Sequence, residues 1–317
     1  MKKKFVQLGI DHPHYRAVIN AVKKRSDIDF GAVAQETPPL ADNVAAEHGV
    51  RVYNDYLECI ENEKPEIAGI AMYNGERGKW IAELLSRGIA VIADKPLCLT
   101  LEELENIRAA LKKTGAPLCM MLTCRSNPVY MAVKNAVRDN LIGDILGVDA
   151  CRYYALNRPS RPDWMFDEKK YGGPGIDILC HDYDLAEWIT GIAWDDIKLR
   201  EFRTGRYSDE DFKDAAYLIS EDRKRLLDIK VYWHSPKGHW DRFSIYGTMG
   251  MIDVPFVSKK PLLINNAGEV KELELPVAVP LAEQFFSAVI DGSAALPVSA
   301  EDSISITEKF IKAKRQS

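Results

Sequence analysis

The first third of the chain alternates between short apolar runs and longer segments of mixed polarity. The apolar runs cover residues 5–9, 28–34, 67–72, 89–93 and 118–122. Continuous apolar runs of this length are typical of strands buried on both faces of a parallel sheet. Strands of this kind separated by amphipathic segments predict an α/β fold with helices on both faces. We therefore predict a doubly wound domain over residues 1–122.

The segments between these runs carry apolar residues at helical spacing. The predicted helices cover residues 15–24, 40–48, 56–63, 79–87 and 101–114. The last has the clearest start, because Thr100 is followed three residues later by Glu103, the pattern of a capping box. Ligands of doubly wound folds bind beyond the carboxyl ends of the strands. The loops at Gly9, Gln35, Met72 and Ala93 are therefore expected at one edge of the sheet.

Beyond residue 122 the pattern changes to longer alternating strands. The predicted strands cover 145–154, 197–206, 215–221, 225–233, 241–247 and 251–254, and the predicted helices cover 129–140, 176–190, 281–291 and 300–314. Alternation predicts antiparallel strands with one solvated face. We predict a second, α+β domain over 123–317 with an open, mostly antiparallel sheet. A second subunit would cover its other face, which predicts a homodimer or homotetramer through this sheet.

Composition restricts the class of protein. The 317 residues carry a net charge of −5, with 46% hydrophobic and 28% charged residues, which excludes a disordered chain. The acidic balance predicts no general affinity for nucleic acid or for an anionic membrane. The apolar stretch near the start ends at Asp11, too short for a signal peptide, and the six cysteines contain no C-x-x-C. We therefore expect a cytoplasmic protein with free thiols.

The segment ADKPLCLT follows an apolar run and places Lys95 where a strand ends. Pro96 restricts the backbone of Lys95, and the peptide bond between them is either cis or trans. A lysine held on a rigid turn at the carboxyl end of a strand can hydrogen-bond a substrate hydroxyl and lower its pKa. The alternative is a solvated surface lysine, but its position and rigidity favour a functional role.

The segment GGPGIDILCHDYD leads from a glycine-rich loop into a predicted helix. Asp177, His181 and Asp184 are spaced i, i+4 and i+7, so they share one face of that helix. A histidine flanked by carboxylates can take up a proton near neutral pH. The alternatives are a hydrogen-bonded core histidine and a zinc site, although zinc prefers more nitrogen or sulfur ligands than this segment offers.

Together, the two segments resemble the glucose–fructose oxidoreductase/inositol dehydrogenase (GFO/IDH/MocA) family. That family carries an E-K-P motif after the fifth strand of a Rossmann domain and a G-G-G…D-x-x-x-H-x-x-D motif on a helix of its second domain. Here Lys95 and Pro96 match the first motif, with Asp94 in place of Glu, and Asp177 and His181 match the second. Similarities in CRSNP, IYGTMGMI and FFSAVIDGSAALPVSAEDS extend the resemblance over nearly the whole chain.

The resemblance implies an NAD(P)-dependent dehydrogenase acting on a secondary alcohol of a sugar, cyclitol or related polyol. It implies that His181 accepts the hydroxyl proton as hydride leaves, that Lys95 holds the oxygen, and that Asp177 orients the substrate or His181. Because these residues come from different domains, the resemblance implies a site between the domains. The predicted substrate-binding residues are Arg125, Trp164, Asp177 and Asp184. For Trp164, packing is the alternative.

The predicted nucleotide-binding loop departs from the family pattern. The expected G-x-G-x-x-G reads GIDHPH, so that only Gly9 remains. Asp11 stands where the backbone should approach a pyrophosphate, and a carboxylate there repels phosphate. His12 and His14 either offset this by donating to phosphate or are exposed loop histidines. The H-x-H pair is compatible with a metal, but no third ligand is evident nearby, and we predict no metal site.

Polar residues after other strands complete the predicted cofactor site. Gln35 falls where the family has a ribose-binding aspartate, with Glu36 beside it; either can bind ribose, and Glu36 disfavours a 2′-phosphate. This favours NAD slightly over NADP. Asn74 matches the family, and Arg77 either reaches a phosphate or faces solvent. The predicted cofactor contacts are Gly9, Asp11, His12, His14, Gln35, Glu36, Asn74, Asp94, Lys95 and Pro96.

Two other functions fit parts of the pattern. A non-catalytic sensor or scaffold with the same fold and weak cofactor binding would agree with the degenerate glycine loop. A related redox reaction, the reduction of an imine or enone double bond, would use the same architecture. Retention of Lys95, Asp177 and His181 favours the dehydrogenase, because a sensor has no use for a proton acceptor and an oxygen-binding lysine.

Overall fold

The chain divides into two compact units that differ in architecture. The computed structural model describes residues 2–36, 40–205, 207, 212–221, 225–256, 260–292 and 294–316. One unit comprises Met1–Leu122 and Val279–Glu308, and the other comprises Thr123–Ala278 and Lys309–Ser317. From the sequence pattern we predict residues 123–317 as a single second domain, whereas the contacts of the C-terminal helices group 279–308 with the first unit.

The first unit contains a six-stranded parallel sheet in the order β3-β2-β1-β4-β5-β6, the order of a doubly wound dinucleotide-binding fold. Its strands are β1 (Lys3–Leu8), β2 (Ile28–Ala34), β3 (Arg51–Tyr53), β4 (Ile67–Ile70), β5 (Ala90–Ala93) and β6 (Leu118–Met120). Its helices up to the end of this sheet are α1 (Tyr15–Lys23), α2 (Leu40–His48), α3 (Tyr56–Glu63), α4 (Asn74–Ser86) and α5 (Leu101–Thr114). The predicted α/β fold class is confirmed.

The apolar runs of the sequence form the centre of this sheet. Every residue of β4 and β5 is buried, because helices cover both faces of these strands. Helix α5 begins as predicted: the Thr100 hydroxyl accepts the backbone N–H of Glu103, and the Glu103 carboxylate accepts the backbone N–H of Thr100. Gly115 ends it in the left-handed conformation that favours glycine (φ 67°).

The second unit contains an eight-stranded sheet in the order β14-β13-β12-β11-β7-β10-β9-β8. Its strands are β7 (Ile145–Ala155), β8 (Ile197–Phe202), β9 (Ala215–Glu221), β10 (Leu226–Tyr232), β11 (His234–Gly247), β12 (Gly250–Val254), β13 (Leu262–Asn265) and β14 (Val270–Glu272). All neighbours are antiparallel except β7 and β10, which confirms the mostly antiparallel sheet. The remaining helices are α6 (Pro128–Arg138), α7 (Glu168–Tyr171), α8 (Cys180–Thr190), α9 (Leu281–Phe286) and α10 (Ala300–Arg315).

Several predicted elements differ from those observed. The helix predicted over 79–87 begins at Asn74 instead, and Arg77 and Gly78 are buried near its start. The strand predicted over 241–247 is the end of the longer β11, which contains a shift in register between His234 and His239. Residue 206, the end of the strand predicted over 197–206, lies outside the described residues. The strands β13 and β14 are not predicted.

Two further observations concern the cysteines and the hydropathy of the helices. All six cysteines are free thiols, as the sequence predicts. In the described ranges, no helix combines the length and apolar character that a membrane span requires.

Candidate functional site

The loop after β1 depends on the single glycine that remains from the nucleotide-binding pattern. Gly9 has a φ of 71°, and a Cβ atom built on it would lie 2.4 Å from the backbone nitrogen of Met72. Its N–H donates to the carbonyl of Ala34 at 2.8 Å, and its own carbonyl accepts the buried amide of Gln7 at 2.9 Å. Gly9 is therefore required by close packing at the carboxyl ends of three neighbouring strands.

The two loop histidines converge on one carboxylate. Asp94 directly follows β5 and is 1% exposed. His14 Nδ1 lies 2.9 Å from Asp94 Oδ1, and His12 Nδ1 contacts Asp94 Oδ2. The backbone N–H of Lys95 also donates to Asp94 Oδ1, at 2.7 Å. The alternative of exposed loop histidines is therefore wrong, because both rings are mostly buried against Asp94.

Neighbouring charged groups determine the protonation state of Asp94. Burial alone would raise the pKa of Asp94, but the neighbouring His12, His14 and Arg77 outweigh burial and hold that pKa well below its usual value. Burial lowers the pKa of His12, with Asp94 acting in the opposite direction. At neutral pH, Asp94 is therefore ionised.

The side chain of Gln35 points into the loop that follows β1. Its Oε1 accepts the backbone N–H of Ile10 at 2.8 Å, and its Nε2 donates to Asp11 Oδ1 at 3.2 Å. Burial raises the pKa of Asp11, although the hydrogen bond from Gln35 lowers it in part. Gln35 is 3% exposed, whereas Glu36 beside it is exposed. Of the two predicted ribose contacts, Glu36 is therefore the more accessible.

Arg77 holds the turn that carries Lys95. The guanidinium is fully buried and donates to the carbonyls of Met72 at 2.8 Å and Pro96 at 3.2 Å, and also to that of Lys95. The alternative in which Arg77 faces solvent is wrong. The Lys95–Pro96 peptide bond is cis, and Lys95 is 2% exposed, which also rules out a solvated surface lysine. Asn74 is fully buried in the first turn of α4.

The second predicted motif lies on a helix that starts irregularly. Gly175–Leu179 forms a π-helix that continues directly into α8, and all its residues are buried. Asp177 belongs to the π-helix and His181 to α8, and their exposed fractions are only 5% and 7%. A π-helix turn in an α-helix is rare and frequently occurs at functional sites. The sequence pattern predicts a helix here but not this turn.

The glycine-rich loop before this helix packs against Glu201 of β8. A Cβ atom on Gly173, whose φ is 95°, would lie 2.3 Å from the Glu201 carboxylate. That carboxylate accepts the backbone N–H of Gly175 at 2.9 Å. The Gly173 carbonyl in turn accepts the backbone N–H of Asp177 at 3.2 Å. Glu201, which sequence reasoning missed, therefore helps to fix the start of the helix that bears Asp177.

Two of the predicted substrate-binding residues are paired with each other. The Arg125 guanidinium contacts both carboxylate oxygens of Asp184, at 2.6 to 3.1 Å, and Asp184 is fully buried. Arg125 also lies 5.9 Å from the ring of Trp188. This bidentate pair anchors the α8 helix to the turn at Thr123–Ser126.

Trp164 belongs to an aromatic cluster that the sequence pattern does not reveal. Its ring centroid lies 6.1 Å from that of buried Tyr171, which is stacked at 6.0 Å on Phe212. Phe212 also contacts Trp233 at 6.3 Å. These contacts agree with the packing alternative for Trp164, whose role in substrate binding stays a prediction.

These features define the class of protein: a Rossmann-fold oxidoreductase with a second α+β domain. Residues 9–122 match the model of the oxidoreductase family with an NAD-binding Rossmann fold, and residues 130–253 match that of the GFO/IDH/MocA C-terminal domain. The chain belongs to the GFO/IDH/MocA family, as its motifs predict.

Individual relatives agree with this assignment. The chain is 26% identical over 266 residues to scyllo-inositol 2-dehydrogenase (NAD(+)) of Bacillus subtilis, covering 82% of this chain and 76% of that protein. A solved structure of a Thermotoga maritima protein has a TM-score of 0.88 at 25% identity, covering 98% of this chain and 97% of the other. Levoglucosan dehydrogenase, solved in complex with NADH, has a TM-score of 0.84 at 16% identity, covering 100% and 98%.

We expect Arg125→Met to destabilise the protein by about 3–5 kcal/mol, because it leaves the buried Asp184 carboxylate without its guanidinium. Urea unfolding would measure the change. The matched control is Arg108→Met, which removes a half-exposed partner of Glu308 and should cost less than about 1 kcal/mol. Unchanged stability with a raised KM for substrate would contradict the anchoring role.

Proposed function

We propose that this protein is an NAD-dependent dehydrogenase that oxidises a secondary alcohol of a cyclic polyol such as an inositol. The observation that carries the proposal is the joint retention of Lys95, Asp177 and His181 at buried positions of a GFO/IDH/MocA chain. The inositol dehydrogenase among its relatives supports a polyol as the substrate class.

In the proposed reaction, the alcohol carbon loses a hydride and its oxygen loses a proton, which leaves a ketone. Bound NAD⁺ supplies the acceptor for the hydride. The Lys95 ammonium donates a hydrogen bond to the alcohol oxygen and stabilises the negative charge that develops on it. The turn held by Arg77 limits the freedom of Lys95, so that little orientation is lost when substrate binds.

His181 is the proposed proton acceptor. A neutral imidazole takes the hydroxyl proton and becomes imidazolium, and it later releases the proton to solvent. Asp177, one helical turn earlier, is the proposed orienting residue for the substrate or for His181. The Glu201 contact with Gly175 supports this role, because it fixes the backbone from which Asp177 projects.

The residues around Gly9 suit a dinucleotide only in part. The positive φ of Gly9 preserves the first turn of the phosphate-binding loop. Asp11 opposes a phosphate, because a carboxylate repels it. His12 and His14 are the proposed donors that replace the missing glycine positions. Burial raises the pKa of Glu76, and the neighbouring Glu36 and Asp11 carboxylates raise it further.

We expect Lys95→Met to lower kcat by at least about 10²-fold, because it removes the cation that stabilises the developing oxyanion. NADH formation with a panel of inositols and sugars would measure it. Lys113→Met, which alters an exposed lysine on α5, is the matched control and should retain full activity. Wild-type activity in Lys95→Met, with folding verified by circular dichroism, would refute the assigned role.

We further propose NAD rather than NADP as the cofactor, because a 2′-phosphate would meet the exposed Glu36 carboxylate and its acidic neighbours. Fluorescence titration should show NADH binding at least about tenfold more tightly than NADPH. Glu36→Gln should raise the affinity for NADPH selectively. Glu47→Gln, an exposed glutamate on α2, should change neither affinity.

The same titration tests the sensor alternative. Tighter binding of NADPH than of NADH would contradict the cofactor preference. Binding of neither dinucleotide would contradict the dehydrogenase itself and would favour a non-catalytic protein with this fold.

We also propose that the protein is a homodimer or homotetramer formed through its second sheet. Tyr153, Trp240, Tyr246 and Leu226 share one face of β7, β10 and β11, and they are 37–46% exposed. The same face also carries ion pairs such as Lys230–Asp228, and exposed aromatic side chains among paired charges suit contact with a second copy of the chain. Light scattering should find an oligomer for the wild type and a monomer for Tyr153→Glu. A monomeric wild type at micromolar concentration would overturn this proposal.

A further inference from the structure

We propose that His12, His14 and Asp94 form a binding site for a divalent transition-metal ion of the zinc type. Each residue offers one ligand atom, and these atoms all lie within 4.8 Å of one another. Two imidazole nitrogens and one carboxylate oxygen are a ligand set that zinc uses, with further positions left for water or another oxygen ligand.

The fold brings the three ligands together from distant parts of the sequence. His12 and His14 flank Pro13 in the loop between β1 and α1, whereas Asp94 follows β5. Because β1, β4 and β5 are neighbours in a parallel sheet, their carboxyl ends lie at the same edge. The backbone N–H of His12 donates to the carbonyl of Ala71, the residue after β4, at 3.0 Å, which fixes the loop at that edge.

The polar atoms of the cluster contact one another directly. Asp94 Oδ1 accepts the backbone N–H of Lys95 and faces His14 Nδ1. Asp94 Oδ2 and His12 Nδ1 are both buried and form a close ion pair. Binding of a metal ion by these atoms would replace the protons that the histidines share with the carboxylate.

A fixed cation lies beside the cluster. The Nη2 atom of Arg77 lies 3.8 Å from Asp94 Oδ2. The Nε and Nη1 atoms of Arg77 donate to backbone carbonyls.

A metal here would explain the unusual loop sequence. The loop lacks two of three glycines and carries Asp11, which makes it poor at attracting phosphate through backbone N–H groups alone. An ion held by His12, His14 and Asp94 would restore positive charge to the same loop. The metal site itself does not rest on the proposed dehydrogenase activity, since it can be measured without substrate or dinucleotide.

The test is metal binding to the full chain after removal of any histidine tag and treatment with a chelator. Titration with Co²⁺ should give visible d–d bands at about one equivalent, and Zn²⁺ should abolish them. Calorimetry should give micromolar or tighter binding of Zn²⁺. Absence of both signals in the wild type would overturn the proposal and leave a metal-free, hydrogen-bonded His–Asp–His cluster.

Two histidine variants test whether the metal ion binds at this cluster. His14→Ala, whose side chain is 27% exposed and therefore replaceable, should weaken Zn²⁺ binding at least about tenfold. His239→Ala removes a histidine of the second unit, remote in sequence from the cluster, and should bind as the wild type does. Equal binding by His14→Ala and wild type would overturn the assignment. If cobalt binds as expected but no polyol is oxidised, only the proposed function fails.

Discussion

The burial of one carboxylate, that of Asp94, organises the candidate cofactor side of this protein. An ionised group with almost no solvent exposure must be compensated by nearby donors and positive charge. Here the compensation comes from His12, His14, Arg77 and the backbone N–H of Lys95. The same contacts determine the path of the loop after β1 and of the turn after β5. The interactions that compensate the charge of Asp94 therefore also fix the conformation of both segments.

In the second unit, another buried carboxylate, that of Glu201, also fixes the backbone around it. Glu201 is buried against Gly173 and Gly175, where only glycine leaves room for it. Its hydrogen bond to the Gly175 backbone holds the start of the π-helix. Asp184, farther along, is neutralised by Arg125. The helix that bears the proposed proton acceptor is therefore held at its start by Glu201 and in its middle by the Asp184–Arg125 pair.

Particular residues show which parts of the site were predictable. Lys95, Asp177 and His181 are recognisable because they occur in contiguous motifs, and family membership follows from those motifs. Glu201 and Arg77 were missed or misjudged because each acts on a segment distant in sequence or on backbone carbonyls, for which no local pattern exists. The start of α4 at Asn74, ahead of the helix predicted over 79–87, was also missed.

The sequence by itself determined the alternation of buried strands and amphipathic helices, the change to alternating strands, and the family. These follow from periodicity and contiguous motifs, which are local properties of the chain. Only the tertiary structure decided that His12 and His14 meet Asp94, because that contact requires β1 and β5 to share one sheet edge. It likewise decided that Gln35 turns toward Asp11 and Arg125 toward Asp184, since a side chain's partner depends on which residues the fold buries beside it.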